Sequence, residues 1–130
     1  MIDQDKNNTK IDVFYDGICS ICSREINYYK KIANPTLFQW HDIANHPELL
    51  DKTGISQKEA LRQLHVRNSD ESWHIGIDAF ICIWKHLPRW RVLGNIASLP
   101  LIHGLLGWAY IKFANYRFKR LKHCQRISQD

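Results

Sequence analysis

The chain has 130 residues, of which 45% are apolar, 24% charged and 12% aromatic, a composition that excludes a disordered tail, a collagen-like repeat and two domains of ordinary size. Its net charge is +5, and the sequence pI is about 9.1. The charge is uneven: residues 1–65 carry eight basic and nine acidic side chains, net −1, whereas residues 66–130 carry ten and four, net +6.

Residues 1–10 are polar and read as a flexible leader without the apolar stretch of a secretory signal. Ile11–Tyr15 is short, β-branched and aromatic, and ends at the turn dipeptide Asp16-Gly17, which predicts a buried strand. Cys22, Ile26, Tyr29 and Ala33 recur at helical spacing, and Asn34-Pro35 stops that helix. Thr36–His41 alternates and predicts a second strand, completing a parallel βαβ unit. Ser56 followed by Glu59 is a capping-box pattern that starts a short helix over Ser56–Leu61. Leu64–Arg67 and Ser72–Ile75 flank a four-residue loop and read as an antiparallel hairpin. After Gly76, the stripe Ile77, Phe80, Ile81, Trp84 and Leu87 predicts a helix that ends at Pro88. Two further helices follow, over residues 89–98 and 101–122.

This order predicts an α/β fold, a thioredoxin-like mixed sheet flanked by helices with a C-terminal helical extension. Residues 11–88 form the core in this reading. Residues 89–130 form an extension packed on it, within one domain. The run Val92–Ile111 carries no formal charge and is long enough to span a bilayer. Asn95, Ser98, Pro100, His103 and three glycines interrupt it, so a helical hairpin packed on the sheet is expected.

Four cysteines, at 19, 22, 82 and 124, are too few and too irregular for a disulfide scaffold. A reducing cytoplasm is the expected compartment. Cys19 and Cys22 lie where a strand feeds a helix. The first turn of a helix offers unpaired N–H groups and partial positive charge, and a thiolate held there titrates at roughly 3.5–7.5 rather than about 8.5. Cys19 is expected to be the exposed attacking sulfur. Cys22, one turn further in, is the resolving one. The pair needs no bound cofactor beyond its own dithiol. It does need a protein or small thiol/disulfide substrate and a reducing partner.

Asp16 has two readings: it takes the proton of Cys22 during its attack, or it accepts backbone N–H groups in the turn. Cys82 reads as a small packed hydrophobe. Cys124 reads as an uninvolved tail thiol, and His41 and His46 as loop histidines near the end of the sheet. The alternative for the whole chain is a non-catalytic metal-binding or membrane-adjacent adaptor. Lys112, Arg117, Lys119, Arg120, Lys122 and Arg126 make the last helix and its tail basic, which reads as a solvated face. That face also suits peripheral contact with a membrane. No nucleic-acid motif accompanies it.

Tyr15-Asp16-Gly17-Ile18-Cys19-Ser20-Ile21-Cys22 resembles the D-x-x-C-x-x-C signature of the DCC family of thiol-disulfide oxidoreductases. The resemblance continues through Gly76–Phe80, Leu87-Pro88, Leu99-Pro100, Tyr110 and Asn115-Tyr116-Arg117, so it spans about residues 11–121. It implies a thioredoxin-like fold with Asp16, Cys19 and Cys22 in the signature positions. Thioredoxins proper place a cis-proline before the third strand, where it helps dock the substrate backbone. Here that stretch is Arg62-Gln63-Leu64-His65. Ile18 stands where thioredoxins carry a tryptophan. Both departures count against general protein-disulfide reduction and leave small or dedicated substrates open.

Overall fold

A computed structural model describes residues 10–51 and 53–122. Strand β1 (Ile11–Tyr15) lies inside a four-stranded sheet of order β2-β1-β3-β4, with β2 at Phe38–Asp42, β3 at His65–Arg67 and β4 at Trp73–Ile75. β2 runs parallel to β1, whereas β3 is antiparallel to both β1 and β4. Val13 faces Trp40 on one side and Val66 on the other. Being central, β1 is covered on both faces, which is why its sequence is nearly all apolar.

Each face of the sheet has its own helices. Ile11, Val13 and Tyr15 pack with Ile26 and Tyr29 of α1 (Ser20–Ile32) and with Ala79, Cys82 and Ile83 of α3 (Ile77–Lys85). On the other face Phe14 packs with Ala60 and Leu61 of α2 (Gln57–Arg62), with Ile43 and with Phe118. Burying side chains such as Val13, Val66 and Ile83 contributes about 1.5–3 kcal/mol each. A one-residue slip of register would turn β1 inside out and lose that burial. With its β-α-β-α-β-β-α order, mixed sheet and flanking helices, this is a thioredoxin-like α/β fold, and a long C-terminal helix follows it.

The elements fall where the sequence predicts them, with three differences. β2 starts at Phe38, because Asn34 closes a turn over the preceding residues: its side chain accepts from the Thr36 N–H at 3.0 Å and the Thr36 hydroxyl at 2.8 Å. Ile81 and Leu87 of the predicted stripe are buried, but Ala79, Cys82 and Ile83 of α3 enter the core in place of Phe80 and Trp84. Those two rings are half-buried at its edges. Trp84 donates its indole N–H to the Tyr29 hydroxyl at 3.0 Å, and Phe80 meets Tyr110 edge-on at 5.6 Å.

The third difference concerns the extension. α4 (Arg91–Ala97) and α5 (Pro100–Arg120) are not a hairpin on the sheet. They meet at a bend of 93°, and α5 packs mainly against α2, α3 and α4. Pro100 occupies the first turn of α5, where its missing N–H costs nothing and its fixed φ suits the helix. No single described helix is long and apolar enough to cross a membrane.

Gly76 joins β4 to α3 with φ +69°, a left-handed conformation in which any Cβ would be strained. Its N–H donates to the Leu64 carbonyl at 2.9 Å, which holds the hairpin against the start of the helix.

Candidate active site

The link between β1 and α1 is held by two carboxylates. Asp16 Oδ1 accepts from the N–H groups of Ile18 at 3.0 Å and Cys19 at 3.2 Å. Asp42, at the end of β2, accepts from the Gly17 N–H at 2.9 Å. Three successive N–H groups are thereby satisfied before the helix begins. Gly17 is required by close approach: a Cβ there would lie 1.9 Å from Asp42 Oδ2. Burial disfavours ionisation of Asp42, but hydrogen bonds from Asn45, Gly17 and Ala44 outweigh it and hold the carboxyl below its usual range. The Ser23 hydroxyl donates to the Gly17 carbonyl at 2.7 Å and closes the loop from the helix side.

Cys19 is the N-cap of α1. It is extended (φ −67°, ψ 121°), and its sulfur accepts from the Cys22 N–H at 3.5 Å. Its carbonyl accepts from the Ser23 N–H at 2.9 Å, the first bond of the helix. No acidic residue lies in the first turn of α1, so nothing on the helix itself opposes its positive end. Both cysteines are free thiols.

The exposure of the pair differs from the sequence expectation. Cys19 is 3% exposed, and Cys22 is the more accessible of the two. The capping role explains this, since it folds the Cys19 sulfur back over the first turn. Cys22 lines a small cavity of about 70 Å³ together with Ile21, Phe80, Tyr110, Phe113 and Arg117. Burial pushes the Cys22 thiol well above its ordinary range. The Arg117 guanidinium opposes that shift, while the hydrogen bond with Cys19 and the charge of Asp16 add to it.

The sequence places Arg117 in a solvated basic face. It is in fact 8% exposed. One guanidinium nitrogen donates to Asp16 Oδ2 at 3.0 Å, and the other donates to the Leu61 carbonyl. The signal was present in the spacing, because Tyr110, Ala114, Arg117 and Phe118 share the inward face of α5. A lone arginine on such a face calls for a buried acceptor. Asp16 thus serves the turn, as one of its two readings has it, and also anchors a residue 101 positions away.

Tyr110 was noted only as a landmark. Its hydroxyl accepts from the Leu64 N–H at 3.0 Å. Leu64 lies in the stretch where thioredoxins carry their cis-proline. With its carbonyl taken by Gly76, both of its backbone polar groups are engaged within the fold.

The remaining candidates lie elsewhere. His41 pairs with Asp12 at 3.0 Å, and His46 with Glu48 at 3.4 Å. Cys82 is packed in the core as expected, and burial pushes its thiol up to about 11. It borders an open depression of about 470 Å³, lined also by His74, Asp78, His86 and His103, which shares no residue with the dithiol cavity. Cys124 and Arg126 lie outside the described residues. Among the described residues, no three His, Cys, Asp or Glu side chains are grouped to hold a metal ion.

A thioredoxin-like sheet with a C-x-x-C pair at the mouth of its first helix defines the dithiol–disulfide class of proteins. Within that class, the chain belongs to the DCC1-like thiol-disulfide oxidoreductase family, which it matches over residues 13–123. It is also similar to the Arabidopsis thaliana protein described as uncharacterized protein At5g50100, chloroplastic, at 28% identity over 116 residues. That match covers 86% of this chain and 53% of the plant protein, so the chain spans about half the length of this relative. No solved structure matches.

Proposed function

We propose that this protein exchanges electrons with a thiol or disulfide substrate through Cys19 and Cys22. The observation that carries the reading is the position of Cys19 as N-cap of α1, with its sulfur facing the Cys22 N–H. The first turn of α1 turns the positive end of its backbone toward that sulfur. The Cys22 thiol, held protonated by burial, is suited to wait as the resolving group.

In the reducing direction, the Cys19 thiolate attacks one sulfur of a substrate disulfide. A Cys19–substrate disulfide forms, and the other substrate sulfur leaves as a thiolate that takes a proton from water. Cys22 then gives up its proton to water and attacks the Cys19 sulfur. The second substrate thiolate leaves, and the Cys19–Cys22 disulfide remains. The substrate has gained two electrons, and an external dithiol restores the pair by the reverse steps. Asp16 acts as a positioning residue, because its oxygens hold the Ile18 and Cys19 N–H groups and Arg117. An incoming molecule reaches Cys19 only by displacing its cover. Ile18 and Ile21, 48% and 57% exposed, are the apolar neighbours it meets first. The engagement of both Leu64 backbone groups favours a small or dedicated substrate over an extended peptide that pairs with the chain at that point.

The test is a titration in glutathione redox buffers read by alkylation and mass spectrometry, with bis(2-hydroxyethyl) disulfide as the trapping substrate. The wild type should cycle between a dithiol and a Cys19–Cys22 disulfide while Cys82 stays a thiol. Cys22→Ser should accumulate a mixed disulfide on Cys19, and Cys19→Ser should accumulate none. Trapping on Cys22 in the Cys19→Ser variant, at the wild-type rate, would reverse the roles. Stoichiometric zinc in protein purified without chelator, with both cysteines inert to alkylation, would favour the adaptor reading instead.

A further inference from the structure

The extension leaves more apolar surface in solvent than the rest of the molecule. On α5, Leu101, Leu105, Trp108 and Lys112 follow at intervals of four, three and four residues and so share one face. Leu101 is 90% exposed, Leu105 66% and Trp108 62%. The opposite face of the same helix carries the buried residues Ala114, Arg117 and Phe118. At the 93° bend, Leu99 is also exposed, and Val92 and Ile96 of α4 continue the apolar surface. Gly94 and Ala97 take the inward side of α4.

The charges that α4 and α5 themselves carry are of one sign. From Arg89 to Lys122 the sequence contains no aspartate or glutamate. Arg89, Arg91, Lys112, Lys119, Arg120 and Lys122 are all exposed. The cations also sit with the aromatics. The Lys112 ammonium lies 5.8 Å from the Trp108 ring centre, and the Arg120 guanidinium 5.6 Å from that of Tyr116. Along the outer face of α5 the order is therefore leucine, leucine, tryptophan, lysine, tyrosine, lysine. An aliphatic end, an aromatic middle and a basic end match the layers of a lipid interface, where hydrocarbon gives way to headgroups and then to anionic phosphate.

We propose that the outer face of the α4–α5 corner docks on the surface of an anionic bilayer. Leu99, Leu101 and Leu105 enter the boundary between acyl chains and headgroups. Trp108 lies at headgroup level, and Lys112, Lys119 and Arg120 meet lipid phosphate. The protein rests on the membrane and does not cross it, since the bend breaks the apolar run into two short pieces. The opposite face of α5 keeps Tyr110 and Arg117 at the dithiol, so docking leaves that site facing away from the lipid. Charge complementarity selects the lipid surface over a second copy of the chain, because two copies joined by this face would bring like charges together.

The experiment is cosedimentation of the full chain with vesicles of phosphatidylcholine containing about 30% phosphatidylglycerol, against phosphatidylcholine alone. Binding to the anionic vesicles should be at least about tenfold stronger, and should fall severalfold between ~0.05 and ~0.5 M salt as screening shortens the range of the charges. The variant Leu101→Ser/Leu105→Ser/Trp108→Ser removes only exposed side chains. It should keep the wild-type circular dichroism and cysteine reactivity while losing about tenfold or more in vesicle affinity. Lys112→Glu/Lys119→Glu should bind weakly to anionic vesicles at any salt. Absence of wild-type binding at low salt, or undiminished binding by the serine variant, overturns the proposal. So does a dimer in sedimentation equilibrium that the serine variant dissolves, because a second copy would then cover the face.

Discussion

α5 reaches two carboxylates on distant elements and treats them in opposite ways. Near its N-terminus His103 meets Asp78 at 2.6 Å, with the side chains 40% and 52% exposed. Near its C-terminus Arg117 meets Asp16 at 3.0 Å, with the side chains 8% and 3% exposed. The shorter contact is the weaker one energetically. Water competes for both groups of the exposed pair, which leaves it about 0.2–1 kcal/mol. In the buried pair neither charge is open to water, so removing one withdraws a contact that solvent does not replace. Environment, rather than distance, ranks the two contacts, and the buried one lies beside the dithiol.

The sharpest way to break this comparison is Arg117→Met, which keeps an unbranched side chain and removes its charge. The buried Asp16 carboxylate would lose its 3.0 Å contact with the Arg117 guanidinium. Unfolding in urea should lose about 3–5 kcal/mol. The same variant removes the positive charge that favours the Cys22 thiolate, so alkylation of Cys22 should slow while that of Cys82 does not change. Asp16→Asn in the same background should recover part of the loss, because the buried negative charge is then gone. A loss below about 1 kcal/mol in the single variant would place the two contacts in one class.

The same contrast explains what the sequence discloses. The β-branched and aromatic run Ile11–Tyr15, the stop at Asn34-Pro35, the Ser56 cap and the break at Gly76 are local signals. Each resulting element lies within two or three residues of its prediction, because local chemistry decides it. Ser56, for example, caps α2 by accepting from the Glu59 N–H at 3.1 Å. Burial of a charge is a tertiary property and leaves only an indirect trace. Arg117 resembles its basic neighbours until its place on the inward face of α5 is weighed. The low exposure of Cys19 was hidden for a different reason: C-x-x-C spacing fixes which residue caps the helix, but not which way the capping sulfur turns. Pro100 marks a break between two helices, yet a proline does not set the angle, and the bend proved to be a corner rather than a hairpin.

A cluster intermediate in exposure sharpens the ranking. Asp12 lies on β1 with its side chain 14% exposed, paired with His41 at 3.0 Å and Arg67 at 3.1 Å. Burial pushes its pKa up, but the hydrogen bonds and charges of His41 and Arg67 outweigh that and hold it below the usual aspartate value. Because the folded pKa is the lower one, the stabilisation is complete above the unfolded value of about 3.9 and is lost as pH falls through the folded one. Asp12→Asn should therefore cost about 1.5–3 kcal/mol at neutral pH and progressively less in acid, flattening the acid limb of stability against pH. An equal cost at every pH would mean that the contact is a matter of shape rather than of charge.

The smallest effect belongs to the exposed pair, and it tests the comparison from the other side. Asp78→Asn keeps an oxygen able to accept from His103 and removes only the negative charge. It should change the urea midpoint by less than about 1 kcal/mol, and the difference should shrink in high salt, where solvent-exposed charges are screened. Asp78 lies in the first turn of α3, so part of even this small cost is its favourable interaction with the helix dipole and would remain in a His103→Ala background. If Asp78→Asn proved as damaging as Arg117→Met, the short contact would be anchoring α5 to α3, and distance rather than burial would rank the two pairs.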